Sequence, residues 1–296
     1  MSKLNTALLA GGMFTALLCA RVAFAAADAN IPDLMAGGNG WASAGQMTEV
    51  PGSPPPVAQD PGHKFVGNNT NRRPDGSYDQ PTWRYADLNN PNLTQFAKDG
   101  LKKANALYDA GFSLYARTSR CWQPGVVVLN LSPGRTYFLQ TPKEVDIIWQ
   151  RDQIVRHVYM NVPHTQNPKP SWNGESVGHY EGDTLVVDTI GQTTKSFVDA
   201  FRTPHSDKLH VIERYRLIEG GKALQVEMTI EDPVAFVQPW KITKRWTKDT
   251  TQPQGANVTG TYNEEIRCMD GEMVNPLNQV YANKLEPLPT ASRADF

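Results

Sequence analysis

Leu209-His210-Val211-Ile212-Glu213-Arg214-Tyr215-Arg216-Leu217-Ile218-Glu219-Gly220-Gly221-Lys222-Ala223-Leu224-Gln225-Val226-Glu227-Met228-Thr229-Ile230-Glu231 is the stretch that decides the fold. Its first half alternates. Leu209, Val211, Tyr215 and Leu217 share one face with Glu213, while His210, Ile212, Arg214 and Arg216 share the other. Strict alternation of this kind is the mark of a strand buried on one side. Glu219-Gly220-Gly221 supplies a turn, and Ala223 to Glu231 runs on as a second strand, so the stretch reads as a β-hairpin.

The same pattern recurs on both sides. Strands are expected near 125–131, 136–139, 144–150, 153–159, 176–180, 184–189, 240–247 and 263–267. Ser132-Pro133-Gly134, Arg151-Asp152 and Glu181-Gly182-Asp183 are chemically apt turns. About ten strands joined mostly by hairpins imply an antiparallel meander. Closure into a barrel would remove its exposed edges. The fold expected is a mainly β, lipocalin/calycin-like barrel with a cavity for one small ligand.

Upstream the character changes. Leu93, Phe96, Leu101, Ala104 and Leu107 recur at helical spacing, with Lys98, Lys102 and Lys103 opposite, so residues 92–110 read as a helix that Gly111 would end. Residues 26–91 are rich in Pro, Gly, Asn and Asp, including Pro51-Gly52-Ser53-Pro54-Pro55-Pro56. They are expected to form an irregular arm, docked through Trp41, Trp83 and Tyr85. The domain expected to fold as a unit, helix plus barrel, spans 92–296.

At the N-terminus Lys3 precedes an apolar run over 7–20, too short to span a bilayer comfortably, and Ala23-Phe24-Ala25 offers small residues for cleavage. Residues 1–25 read as a signal peptide that sends the chain to the periplasm. A lipoprotein signal at Cys19 fits less well, because Leu18 before it is not small. No later segment looks apolar enough for stable membrane insertion. Lys and Arg total 29 against 30 Asp and Glu, a net charge of −1. No basic stripe points to nucleic acid. Removal of the signal leaves Cys121 and Cys268, which in an exported chain read most simply as a disulfide. Such a bridge would be worth on the order of 4–5 kcal/mol, less any strain. A reactive thiol is the rival, but neither Cys has a nearby His or a Cys-x-x-Cys partner.

Chemistry is signalled by histidine. Of six in the chain, five crowd into residues 157–210: His157, His164, His179, His205 and His210. Val155, His157 and Tyr159 share one strand face; Ile154, Arg156 and Val158 share the other. Glu213 lies on an apolar face, where a carboxylate is costly unless paired. It is therefore either an acid/base group with a shifted pKa or half of a buried pair with Arg or His. Ser171-Trp172-Asn173-Gly174-Glu175-Ser176-Val177-Gly178-His179-Tyr180-Glu181-Gly182-Asp183 packs aromatic rings and carboxylates among glycines that permit close approach. There is no His-x-His, no His-Glu-x-x-His, no Gly-x-Ser-x-Gly and no nucleotide-binding glycine loop in a strand-to-helix setting. Neither metal nor any other cofactor is expected.

The run from Pro170 through Val177-Gly178-His179-Tyr180-Glu181-Gly182-Asp183-Thr184-Leu185-Val186-Val187-Asp188-Thr189-Ile190-Gly191 resembles the signature of a large family of exported bacterial proteins. Most of its members have no assigned function. The likeness continues through Pro204-His205-Ser206-Asp207 and Leu209 to Tyr215, and through Thr229 to Pro233, covering about 115–270. Tyr180 stands where that family's His-Trp-Glu-Gly-Asp core carries Trp. Some sphingomonad members are associated with cleavage of lignin-derived phenylcoumaran dimers, opening the dihydrofuran ring and expelling formaldehyde or carbon dioxide to leave a stilbene. The resemblance therefore implies a cofactor-independent carbon–carbon lyase acting on a small aromatic substrate. Acid/base groups are the catalysts such a reaction needs. His157, Tyr159, His179 and Glu213 are the candidate catalytic residues. Arg156, Trp172, Tyr180, His205, His210, Arg214 and Tyr215 are the candidate substrate-binding residues.

Two other readings stand beside it. One is a barrel that binds an apolar small molecule without catalysis and needs few ionisable groups in its pocket. The other is an envelope-associated structural protein, with histidines exposed and scattered. Convergence of His157, His179, His205, His210 and Glu213 on one cavity would separate the three. A homo-oligomer is left open.

Overall fold

The computed structural model describes residues 31–49, 57–58, 83–84, 88–109, 123–131, 135–150, 154–199 and 203–248. The signal peptide, Cys121, Cys268, Gly111 and the expected strand at 263–267 lie outside them, as does most of the arm. In chain order the elements are β1 (Trp41–Glu49), β2 (Val57–Ala58), β3 (Trp83–Arg84), α1 (Gln95–Asp109), α2 (Val126–Leu131), β4 (Arg135–Gln140) and β5 (Glu144–Trp149). Then come β6 (Ile154–Met160), β7 (Glu175–Glu181), β8 (Thr184–Ile190), β9 (His210–Ile218), β10 (Ala223–Glu231) and β11 (Trp240–Lys248).

Nine of the strands close a mixed barrel in the order β1-β11-β10-β9-β8-β7-β6-β5-β4. The β9–β10 hairpin pairs from His210↔Glu231 to Ile218↔Ala223, as its alternation predicts. Inward positions along β5, β6, β9 and β10 are buried and apolar apart from a few polar groups. Val145, Ile147, Val158, Val211, Leu224 and Val226 are each fully enclosed, and Tyr215 sits between Phe138 and Trp246. Burial of each such aliphatic side chain contributes about 1.5–3 kcal/mol.

Three features depart from the sequence reading. The arm contributes a barrel strand: β1 bridges β11 (Trp41↔Lys248) and β4 (Trp41↔Thr136), closing the sheet. Trp41 is buried there, and its Nε1 donates to the Leu34 carbonyl at 2.7 Å. Residues 125–131, expected as a strand, contain helix α2. The run Val126-Val127-Val128-Leu129 has β propensity, but Val126, Val127 and Leu129 are all buried, and a short apolar run enclosed by protein takes whichever form its surroundings allow. The meander is also broken, because β6 and β7 run parallel (Val158↔Ser176, Tyr159↔Val177, Met160↔Gly178). Parallel neighbours require a crossover of a dozen or more residues, and the loop over 161–174 provides it.

Helix α1 appears where expected, opened by Thr94, whose hydroxyl accepts from the Ala97 amide. Ala97, Leu101 and Ala104 face the core, whereas Phe96, assigned to the same stripe, is exposed. Asn92 pins the helix entry to the β10–β11 connection, donating to the Gln238 carbonyl and accepting from the Gln238 amide, each at 3.0 Å. Among the described residues no helix is long and apolar enough to cross a membrane.

Candidate functional site

The barrel divides the sequence-derived candidates between its two faces. Arg156, Glu213 and Tyr215 point inward and meet. Arg156 Nη1 and Nη2 donate to Glu213 Oε1 and Oε2 at 3.0 and 2.5 Å, a bidentate pair buried on both sides. Tyr215 Oη donates to Glu213 Oε1 at 2.7 Å, and Asn130 Nδ2, on α2, reaches the same oxygen at 2.6 Å. Ser176 Oγ and Thr189 Oγ1 accept the remaining reach of Arg156. Desolvation, then the adjacent Glu213 charge, hold the Tyr215 phenol far above its ordinary range, so it stays a donor. Of the two alternatives for Glu213, the geometry is that of the buried pair with Arg. Lys244 also faces inward and is buried, and that burial lowers its pKa.

His157, Tyr159, His179 and Arg214 point the other way. His157 Nδ1 lies 2.6 Å from Glu144 Oε1 on the outer face, and Tyr159 is about half exposed beside it. His179 Nε2 contacts Glu181 Oε1 at 3.0 Å, and Arg214 Nη2 donates to the other Glu181 oxygen. The four candidate catalytic residues thus do not line one cavity: Glu213 is inside, and His157, Tyr159 and His179 are outside. His205 is buried apart from both groups, with Nε2 2.9 Å from Ser196 Oγ and Nδ1 2.8 Å from the Ser206 carbonyl oxygen. Burial lowers its pKa and keeps it neutral near pH 7. Tyr180 is half-buried and accepts from Gln140 Nε2 at 2.8 Å, while Trp172 lies half-buried in the crossover loop.

A five-residue titratable constellation among the described residues contains His210, a candidate substrate-binding residue, His164, one of the five clustered histidines, and three carboxylates not taken as candidates, Glu175, Asp188 and Glu231. Asp188 on β8 is its hub. Asp188 Oδ1 lies 2.8 Å from His210 Nε2 and 3.1 Å from His164 Nε2. Each imidazole holds a second carboxylate at Nδ1: Glu231 at 3.1 Å from His210, Glu175 at 3.0 Å from His164. The result is a continuous ladder, Glu175–His164–Asp188–His210–Glu231, lying partly buried across the outer face. Local structure explains it. Glu175, Asp188, His210 and Glu231 all stand at outward positions of β7 to β10, and His210 pairs with Glu231 across β9–β10. The crossover loop forced by the parallel β6–β7 pairing delivers His164.

Electrostatics polarise the ladder. A neutral imidazole has one donor nitrogen, so only the imidazolium satisfies a carboxylate at each end. The Asp188 hydrogen bond raises the His210 pKa against the opposing effect of desolvation, and Glu231 adds to the rise. Desolvation would raise Asp188, but the hydrogen bonds from His210 and His164 outweigh it and leave its pKa low. Glu175 is likewise depressed: desolvation opposes, while the Thr165 amide, His164 and the Thr165 hydroxyl prevail. Such an array can accept a proton at one end and release one at another. The sequence signal for it is Asp188 itself, a carboxylate inside the otherwise uncharged run Leu185-Val186-Val187-Asp188-Thr189-Ile190, where a charge calls for a partner.

Comparison of the chain with protein-family models, with curated proteins and with solved structures finds no match in any of the three.

Proposed function

We propose that this chain is a cofactor-independent lyase that opens a lignin-derived phenylcoumaran, and that the outer-face ladder centred on Asp188 handles its protons. The observation that carries the reading is the pair of imidazoles converging on one half-buried carboxylate oxygen, 2.8 and 3.1 Å away. Paired acid and base groups with pKa values driven apart are what such chemistry requires. The β-strand register extends the outer row from Asp188 through Val177 to Tyr159 and Glu144, placing an exposed aromatic ring on the same face.

The reaction balances without an oxidant. A base removes the phenolic proton, the dihydrofuran carbon–oxygen bond breaks, and a quinone methide forms. The departing oxygen takes a proton from an imidazolium. The terminal hydroxyl then loses its proton, its carbon leaves as formaldehyde, and the electron pair restores the aromatic ring as a stilbene. With a carboxylate in place of the alcohol, carbon dioxide leaves instead. Removing either partner of the Asp188–His210 contact should slow turnover by about 10²–10⁴-fold.

The test is incubation of the purified chain with a phenylcoumaran alcohol and its acid, with and without EDTA, followed by mass spectrometry. Loss of one carbon and growth of a stilbene absorbance, unaffected by EDTA and suppressed in Asp188→Asn and His210→Gln, is expected. Retention of the intact dimer without turnover would instead favour a binding barrel, a use with which the fold is equally compatible. Neither turnover nor retention would remove both.

A further inference from the structure

A second cluster on the outer face has the composition and layout of a metal site. Glu144 and Asp146 are two apart on β5 and so project to the same side, and His157 on β6 is the direct cross-strand partner of Asp146. Glu144 Oε1 and Asp146 Oδ1 lie 2.6 and 2.8 Å from the same atom, His157 Nδ1. One donor atom from each of the three residues falls within 4.8 Å of the others.

Hydrogen bonding does not account for this convergence. A ring nitrogen carries at most one proton, so it can serve one of the two carboxylates well. Asp146 Oδ1 is shielded from solvent and makes no hydrogen bond; its charged neighbour is His157 Nδ1, 2.8 Å away, which it shares with the closer Glu144 carboxylate. A shielded anionic oxygen that must share one ring nitrogen with a second carboxylate is incompletely compensated. A cation seated between the three atoms would give it a ligand role and would cancel the repulsion between the two carboxylates.

We propose that Glu144, Asp146 and His157 bind a divalent first-row transition-metal ion, with zinc as the representative. An imidazole nitrogen with two carboxylate oxygens suits zinc, nickel or copper better than magnesium or calcium, which prefer all-oxygen shells. Zinc–ligand distances of about 2.0–2.2 Å call for donors slightly farther apart than they stand, which side-chain rotation of partly exposed residues provides. The ion would clip β5 to β6, with water completing its shell. The absence of a His-x-His or His-Glu-x-x-His pattern follows from ligands contributed across a strand pair. The site is separate from the Asp188 ladder, so its success or failure is independent of the lyase reading.

The experiment is equilibrium dialysis of the purified, EDTA-stripped chain against zinc chloride, read by elemental analysis. Wild type is expected to retain one zinc per chain. His157→Ala, Asp146→Asn and Glu144→Gln should each weaken retention more than about tenfold, with circular dichroism confirming that the variants fold. His164→Gln should leave it unchanged. Failure of the wild type to bind zinc would overturn the proposal. So would binding that survives His157→Ala and Asp146→Asn, or that is lost instead with His164→Gln.

Discussion

His210 Nε2 stands 2.8 Å from Asp188 Oδ1, and this contact drives the two groups' protonation in opposite directions. His210 has a folded pKa above its unfolded one. Its contribution to stability is therefore complete below the unfolded value of about 6.5 and is lost as pH rises through the folded value. Asp188 and Glu175 have depressed pKa values, so theirs is complete above the unfolded carboxylate range of about 4 and is lost as pH falls through the folded values. The ladder should stabilise most between about pH 4 and 6.5. Urea unfolding of wild type and His210→Gln across pH 3–9 should show the gap widest in that window. A gap that stays constant with pH would mean the ladder is not charged as described.

Removal of the hub should uncouple the ends. In Asp188→Asn, His210 loses the partner that contributes most to its raised pKa and keeps Glu231 alone. The ring-proton titration of His210, followed by NMR, should move to lower pH. An unmoved His210 titration would assign its behaviour to Glu231 instead.

Inside the barrel the energetic risk lies in breaking the Arg156–Glu213 pair singly. Glu213→Gln or Arg156→Met leaves the other charge buried, and each should destabilise by about 3–5 kcal/mol. Glu213→Leu combined with Arg156→Met removes both charges, so the double variant should lose much less than the sum of the single losses. Denaturant midpoints measure this. Additive losses would show that packing, rather than an uncompensated charge, dominates. Tyr215→Phe, which removes a hydrogen bond to the charged Glu213, should cost about 1.5–3 kcal/mol.

How far the sequence could be read depended on where its periodicity was unambiguous. Alternation alone put Glu213 and Tyr215 on one face of β9 with His210 and Arg214 on the other, and it separated Arg156 from His157 on β6; the structure keeps each of those assignments. Burial was also legible, because an apolar face of a barrel strand must point inward. Partnership was not. Which outward residues meet depends on strand order and register, and the parallel β6–β7 step that brings His164 to Asp188 has no local signature. β1 has no local signature, because Trp41-Ala42-Ser43-Ala44-Gly45 has weak strand character and gains its order from two neighbours far along the chain. α2 cannot be told from a strand by periodicity, because every side of a buried apolar turn looks alike.

Gly174 tests whether local backbone geometry sets the ladder. Its φ is +66°, and a Cβ built on it would lie 2.3 Å from the Ile190 carbonyl oxygen, a backbone atom that cannot swing aside. The next residue, Glu175, opens the β7–β8 pairing against Ile190 and holds both Thr165 and His164. Gly182, at the tip of the same hairpin, has a similar φ of +60° but open space around it. Gly182→Ala should therefore cost only the left-handed penalty, about 1–2 kcal/mol. Gly174→Ala should cost that plus the displacement of a strand, about 3 kcal/mol or more in total. The larger loss should come with release of Glu175: the His164 ring resonance should shift in Gly174→Ala and stay in place in Gly182→Ala. Equal losses, or an unmoved His164 resonance, would mean that the turn yields without disturbing the carboxylate it carries.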